Sequence, residues 1–140
     1  MKMEINKLVE EIIDNCQVSM ISSVDSEGYP NTKAMLPPRK RDGIKRFYFS
    51  TNTSSIRVKQ FKENQKASIY FYDHSKFKGI MFKGRMEVVS DLKAKEMIWR
   101  DGDELYYPKG IRDDDYCVLI FKAESARYYE NFHSIDFKIK

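Results

Sequence analysis

The sequence predicts a mostly β (α+β) domain, an antiparallel barrel of about six to seven strands with short peripheral helices. Three observations carry this. Runs rich in Val, Ile, Tyr and Phe recur along the whole chain, as in residues 66–73 (KASIYFYD). Helical periodicity is confined to brief segments at the joints between those runs. Strands do not alternate with helices of crossover length, so a doubly wound parallel sheet is excluded. A chain of 140 residues makes one domain, residues 1–140, with enough mass for a full core.

The elements follow in order. Ile5, Leu8, Val9, Ile12 and Ile13 repeat at helical spacing, which predicts an amphipathic helix over 4–15. Val18, Met20, Ser22 and Val24 alternate and predict a strand. Residues 25–28 (DSEG) turn the chain, and 29–36 return as a second strand with Pro30 near its start. Pro37 and Pro38 close that strand. The basic residues Arg39, Lys40, Arg41, Lys45 and Arg46 flank Asp42-Gly43, a turn signal, so they read as a solvated hairpin loop before they read as a nucleic-acid patch. Residues 46–51 form a third strand. A helix covers 54–63, with Ile56, Val58 and Phe61 as its apolar side and Asn64-Gln65 as its end. Strands follow at 66–73 and 77–90. Gly79 and Gly84 inside the latter mark a bulge, a bend or a close approach of backbone to ligand. A short helix over 91–100, capped by Ser90 or Asp91, carries the only tryptophan, Trp99. Residues 101–114 read as an irregular loop. Residues 115–123, 125–131 and 134–139 close the chain as strands.

Composition excludes several classes. A net charge of +4, 41% apolar and 33% charged residues describe a globular protein. No apolar run approaches the roughly 20 residues that span a bilayer. The N-terminal segment is acidic and amphipathic, unlike a secretory signal. Cys16 and Cys117 lie far apart beside apolar residues, as buried free thiols do. A cytoplasmic location is the expectation. Only His74 and His133 are available, on separate segments, so no metal site is expected. No GxSxG elbow is present. Gly79 to Gly84 has P-loop spacing, but Arg85 and Met86 stand where Lys and Ser/Thr are required. Asp113, Asp114 and Asp115 read as a solvated turn. The chain carries little acid–base or nucleophilic equipment, so an enzyme built on it would depend on a cofactor.

The densest candidate site lies between Phe47 and Phe61 (FYFSTNTSSIRVKQF). An aromatic strand runs into Ser50, Thr51, Asn52, Thr53, Ser54 and Ser55, and a helix then opens with Arg57 and Lys59 in its first turns. Hydroxyls, backbone N–H groups and a guanidinium converge at a helix start, which suits a phosphate. The same residues also satisfy ordinary helix capping, and the segment alone leaves both readings open.

The order of the segments PNTKAM, FYFSTNTSSIRVKQF, ASIYFYD, FKGRMEVVSD and YYPKGIRDDDYCVLIF resembles the pyridoxamine 5'-phosphate oxidase-like family of FMN-binding split barrels, in its small general-stress-protein branch. The resemblance spans roughly residues 5 to 130. It implies a split barrel, a homodimer and FMN in the groove between protomers. Carried over by position, Lys33, Ala34 and Met35 would line the flavin. Ser50, Thr51 and Asn52 would reach the ribityl chain and phosphate. Ser55, Ile56 and Arg57 match the family's Ser-Arg-Lys phosphate clamp, with Ile56 in place of a basic residue; Lys33 and Lys59 would compensate. Lys78 and Gly79 fall where the full-length oxidases place Arg-Gln near the partner's flavin. Trp99 matches a tryptophan near the dimer groove, or anchors its own helix. The C-terminal NFHSIDFKIK lacks the Arg-x-His of true pyridoxamine phosphate oxidases, so vitamin B6 synthesis is not implied.

The function implied is an FMN-dependent oxidoreductase that passes electrons from reduced flavin to a small acceptor, with NADH or NADPH as donor. Two alternatives stand beside it. One is a non-enzymatic flavin or haem binding or sensor protein. The other is a nitroimidazole-reductase-like enzyme with His74 near the flavin. Nine Phe, nine Tyr and seven Met exceed what one small core needs, which supports a dimer interface.

Overall fold

The computed structural model describes residues 2–140, with side chains from Glu4 onward. Helix α1 (Lys2–Asn15) leads into the hairpin β1 (Ser19–Val24) and β2 (Pro30–Met35). Next come β3 (Lys40–Asp42), β4 (Arg46–Asn52), α2 (Ile56–Glu63), β5 (Lys66–Asp73) and β6 (Lys78–Val89). Helix α3 (Leu92–Ile98), two single 3-10 turns at Asp103–Leu105 and Gly110–Arg112, and the strands β7 (Tyr116–Glu130) and β8 (His133–Lys138) complete the chain.

All pairings are antiparallel, and the strands form one eight-stranded sheet in the order β2-β1-β5-β6-β7-β4-β3, with β8 on the far half of β7. No pair joins β2 to β3, so the barrel is split rather than closed. The sheet nevertheless curls tightly. Phe47 on β4 and Phe71 on β5 are three strands apart in the ladder, yet their ring centroids are 5.8 Å apart. On a flat sheet that separation would be about 14 Å.

The alternation of β4 explains the two packed layers. Phe47 and Phe49 point into the main core with Ile21, Ile69, Phe71, Ile80, Phe82, Leu119 and Phe121, which Val9, Ile12 and Ile13 of α1 and Val58 and Phe61 of α2 cover. Tyr48 points the other way, to a smaller cluster with Val118 and Ala94 and Ile98 of α3. Cys16 and Cys117 are buried free thiols.

Gly84 sits opposite a bulge. Lys83 pairs with Ser125 and Gly84 with Ala123, so Glu124 of β7 is skipped. A Cβ on Gly84 would lie 2.0 Å from the Lys122 carbonyl oxygen, so only glycine fits there. The bulge bends β7 without ending it. The sequence reads 115–123 and 125–131 as separate strands; the structure joins them into one of 15 residues.

Two further readings change. The basic stretch after Pro38 holds a short strand, β3, so the sheet has eight strands where six to seven were expected. Ile56, assigned to the apolar side of α2, is 73% exposed, while Val58 and Phe61 are buried.

Candidate functional site

The corner after β4 is held from two sides. Ser55 caps α2, its Oγ accepting from the Val58 N–H at 3.2 Å. Thr53 N–H donates to the Asp115 carbonyl at 2.7 Å, and Ser54 N–H donates to the Asp115 carboxylate at 2.9 Å. Asn52 Nδ2 donates to Ser54 Oγ at 2.9 Å. The polar run is thus fastened to the start of β7, and its geometry is set before any ligand arrives.

A cavity of about 480 Å³ opens beside this corner. Its floor is Lys33, Ala34 and Met35 of β2 and Phe49, Ser50, Thr51 and Asn52 of β4. Arg57 enters from the first turn of α2. Its Nε is buried and has no hydrogen-bond partner, and no carboxylate pairs with its guanidinium among the described residues. Burial pushes the Arg57 pKa below its ordinary value. A buried donor left unmade costs roughly 1–3 kcal/mol, more for a charged group, so the site favours an anion there.

The far wall comes from residues that the sequence did not single out. Arg39 grips Asp103 in a two-pronged pair, Nη1 to Oδ2 at 2.7 Å and Nη2 to Oδ1 at 2.9 Å. Both are nearly buried, with side chains 14% and 7% exposed. Arg39 also donates to the Ile98 carbonyl, Arg100 N–H to Asp103, and the Arg100 guanidinium to the Arg39 carbonyl. The Arg39 hydrogen bond holds the Asp103 carboxyl below its ordinary pKa. Behind this lock, Trp99 packs edge-on to Tyr116 at 5.2 Å, and Tyr107 packs tilted against Tyr116 at 4.9 Å. Burial lifts both tyrosine pKa values to about 12. Arg39 and Asp103, with Tyr106 and Tyr107, face the cavity.

The structure therefore brings Lys33, Ala34, Met35, Ser50, Thr51, Asn52 and Arg57 to one cavity. Ser55 stands beside it as the helix cap, and Ile56 points to solvent. Trp99 sits behind the wall, half-buried, in contact with Tyr107 and Tyr116. Lys78 and Gly79 lie elsewhere in the protomer. Lys78 lines a second, apolar cleft of about 440 Å³ with Met20, Tyr70, Tyr72, His74, Phe77 and Tyr129. Its Nζ is 3.8 Å from Glu130. A Cβ on Gly79 would meet the Tyr70 hydroxyl at 2.2 Å, so this glycine makes room for the ring of Tyr70.

Arg39 does not lie in a solvated basic loop, as its neighbours in sequence suggest; it is nearly buried and paired with Asp103. Arg41 is likewise paired, with Asp14 at 2.8 Å and Glu10 at 3.1 Å, and Lys40 pairs with Asp42 at 2.8 Å. The basic stretch is largely neutralised from within, which weakens it as a nucleic-acid patch. Among the described residues no His/Cys/Asp/Glu cluster could hold a metal ion, and no helix is long and apolar enough to cross a membrane.

The curled, unclosed antiparallel sheet is a split barrel. The chain belongs to the pyridoxamine 5'-phosphate oxidase family, whose profile matches residues 5–130. It is similar to a Clostridium acetobutylicum protein related to general stress protein 26 of Bacillus subtilis, of the pyridoxinephosphate oxidase family. The two share 43% identity with a TM-score of 0.88, over 97% of this chain and 95% of that one. It shares its fold with a putative pyridoxamine 5'-phosphate oxidase of Listeria innocua (18% identity, TM-score 0.75, 91% and 99% coverage). It also shares it with a heme binding protein of Mycobacterium smegmatis (14% identity, TM-score 0.74, 95% and 57% coverage). No curated protein matches it significantly in sequence.

Proposed function

We propose that the chain is an FMN-binding flavoprotein that passes electrons from reduced flavin to a small-molecule acceptor. The observation that carries this reading is the unpartnered guanidinium of Arg57 in a cavity floored by Lys33–Met35 and Ser50–Asn52. Arg57 would hold the phosphate, with the first-turn N–H groups of α2 and the hydroxyls of Ser50, Thr51 and Ser55 beside it. A charge-assisted bond to Arg57 contributes roughly 1.5–3 kcal/mol. Lys33, Ala34 and Met35 would carry the ring edge. When bound, FMN supplies the electron transfer, with NADH or NADPH as donor; the chain binds, orients and shields it.

The cavity is open to solvent, and β2, part of its floor, is an edge strand whose residues Pro30 to Ala34 are all exposed. A second copy of the chain would close it, with Lys78 and Gly79 of the cleft at the interface. Titration with FMN should perturb the flavin's visible spectrum, and the protein should keep the colour through desalting. Arg57→Ala should lose at least about tenfold in affinity. Colourless protein with no FMN affinity would remove the proposal. Light scattering should report a dimer.

A second reading rests on His74, which lines the apolar cleft at its rim. A histidine beside an apolar slot suits haem ligation, in a carrier or sensor. Haem added to the protein would then give a sharp Soret band that His74→Ala abolishes.

A further inference from the structure

The outer wall of the cavity is built as firmly as its floor, and the proposed phosphate contact does not use it. Three cations and two carboxylates line the cavity: Lys33, Arg39 and Arg57 against Asp103 and Asp115. Arg39 is committed to Asp103, and the Asp115 carboxylate to the Ser54 N–H. A phosphate monoester brings about 1.5 to 2 negative charges, so the occupied cavity is net negative by roughly one-half to one charge. A second anion entering it meets repulsion in a partly desolvated space.

What the wall offers instead is apolar surface. Tyr106 lines the cavity yet is 78% exposed, and Leu36, also on its rim, is 74% exposed. Leu36, Pro37 and Met35 continue that surface along the end of β2. Tyr106 follows directly on the Asp103–Leu105 turn, its N–H donating to the Asp103 carbonyl at 2.9 Å. The backbone from which its ring projects is therefore held next to the Arg39–Asp103 lock.

We propose, resting on the flavin reading above, that this wall selects the molecule sharing the cavity with FMN and favours a neutral planar ring over an anion. Tyr106 is the contact residue, and Arg39 and Asp103 are positioning residues. The experiment is an equilibrium titration of the oxidised FMN-loaded protein with two compounds of one shape, 2-naphthamide and 2-naphthoate. The amide should bind about tenfold tighter or better. Tyr106→Ala should weaken the amide by about tenfold with FMN affinity unchanged, and Tyr106→Phe should restore it. Asp103→Asn, with FMN still bound, should narrow the gap between the two compounds. Naphthoate binding as tightly as the amide, or an amide affinity that Tyr106→Ala leaves unchanged, would overturn the inference while the flavin reading stands. Failure to bind FMN at all would overturn both.

Discussion

Two of the molecule's clefts are similar in size, about 480 Å³ at the polar corner and about 440 Å³ under the β5–β6 hairpin. They are neighbours on the sheet, since Met20 of the second pairs with Ala34 of the first and with Tyr70. Their chemistry differs at every point that matters for a ligand. Each contains a partly buried cation, but Lys78 has Glu130 at 3.8 Å while the Nε of Arg57 has nothing. The corner is fastened by Asp115 and Asp103 through many hydrogen bonds. The hairpin cleft is bounded by Tyr70, Tyr72 and Tyr129, and by Phe77, which is 80% exposed with φ at +51°. One cleft has its geometry fixed and a charge unanswered. The other has its charge answered and apolar surface uncovered. The first arrangement calls for an anion, the second for a covering surface.

Substitutions can break this contrast in order of expected size. Asp103→Ala should cost about 3 kcal/mol of folding stability, since it strands Arg39 in a nearly buried site. Denaturant unfolding would read this, and a loss under about 1 kcal/mol would mean that the lock is a surface pair. Arg57→Ala should leave unfolding almost unchanged, or stabilise the protein slightly, because it removes an unsatisfied buried donor; its roughly 1.5–3 kcal/mol appears only in FMN affinity. Equal losses in both measurements would show that Arg57 is structural. Phe77→Gly should gain about 1 kcal/mol by relieving the left-handed backbone. It should also weaken self-association and leave the monomer's cavity intact. The smallest effect is on pH. Asp103 titrates below its unfolded value of about 3.9 because Arg39 donates to it. Its contribution is complete above about pH 4 and fades as pH falls through the lower folded value. Asp103→Asn should flatten that acid limb of the stability curve.

Much of the corner was legible because its signals are local. The hydroxyl-rich run that starts α2, the Asp42-Gly43 turn and the glycine beside a bulge are each readable from a few adjacent residues, although the cap falls at Ser55, one residue inside the helix expected from 54. The wall was not legible, because its parts meet across long separations. Arg39 and Asp103 are 64 residues apart, and neither has a periodic neighbourhood that places it. Arg39 sits in a run of bases that looks solvated, and Asp103 in a loop without apolar spacing. The break read at residue 124 has a similar origin. Lys122 and Glu124 interrupt the apolar run as a turn would, but they face solvent on a strand that Gly84 allows to bend and continue.

That unbroken strand has a consequence for synthesis. Apart from three residues of β3, β4 finds its ladder partner only in Tyr116–Lys122. A nascent chain emerging from the ribosome therefore carries the Ser50–Arg57 segment for some sixty residues before anything can hold it straight. Truncated products would lack the corner altogether, and the cavity would take shape only once nearly the whole polypeptide had been made.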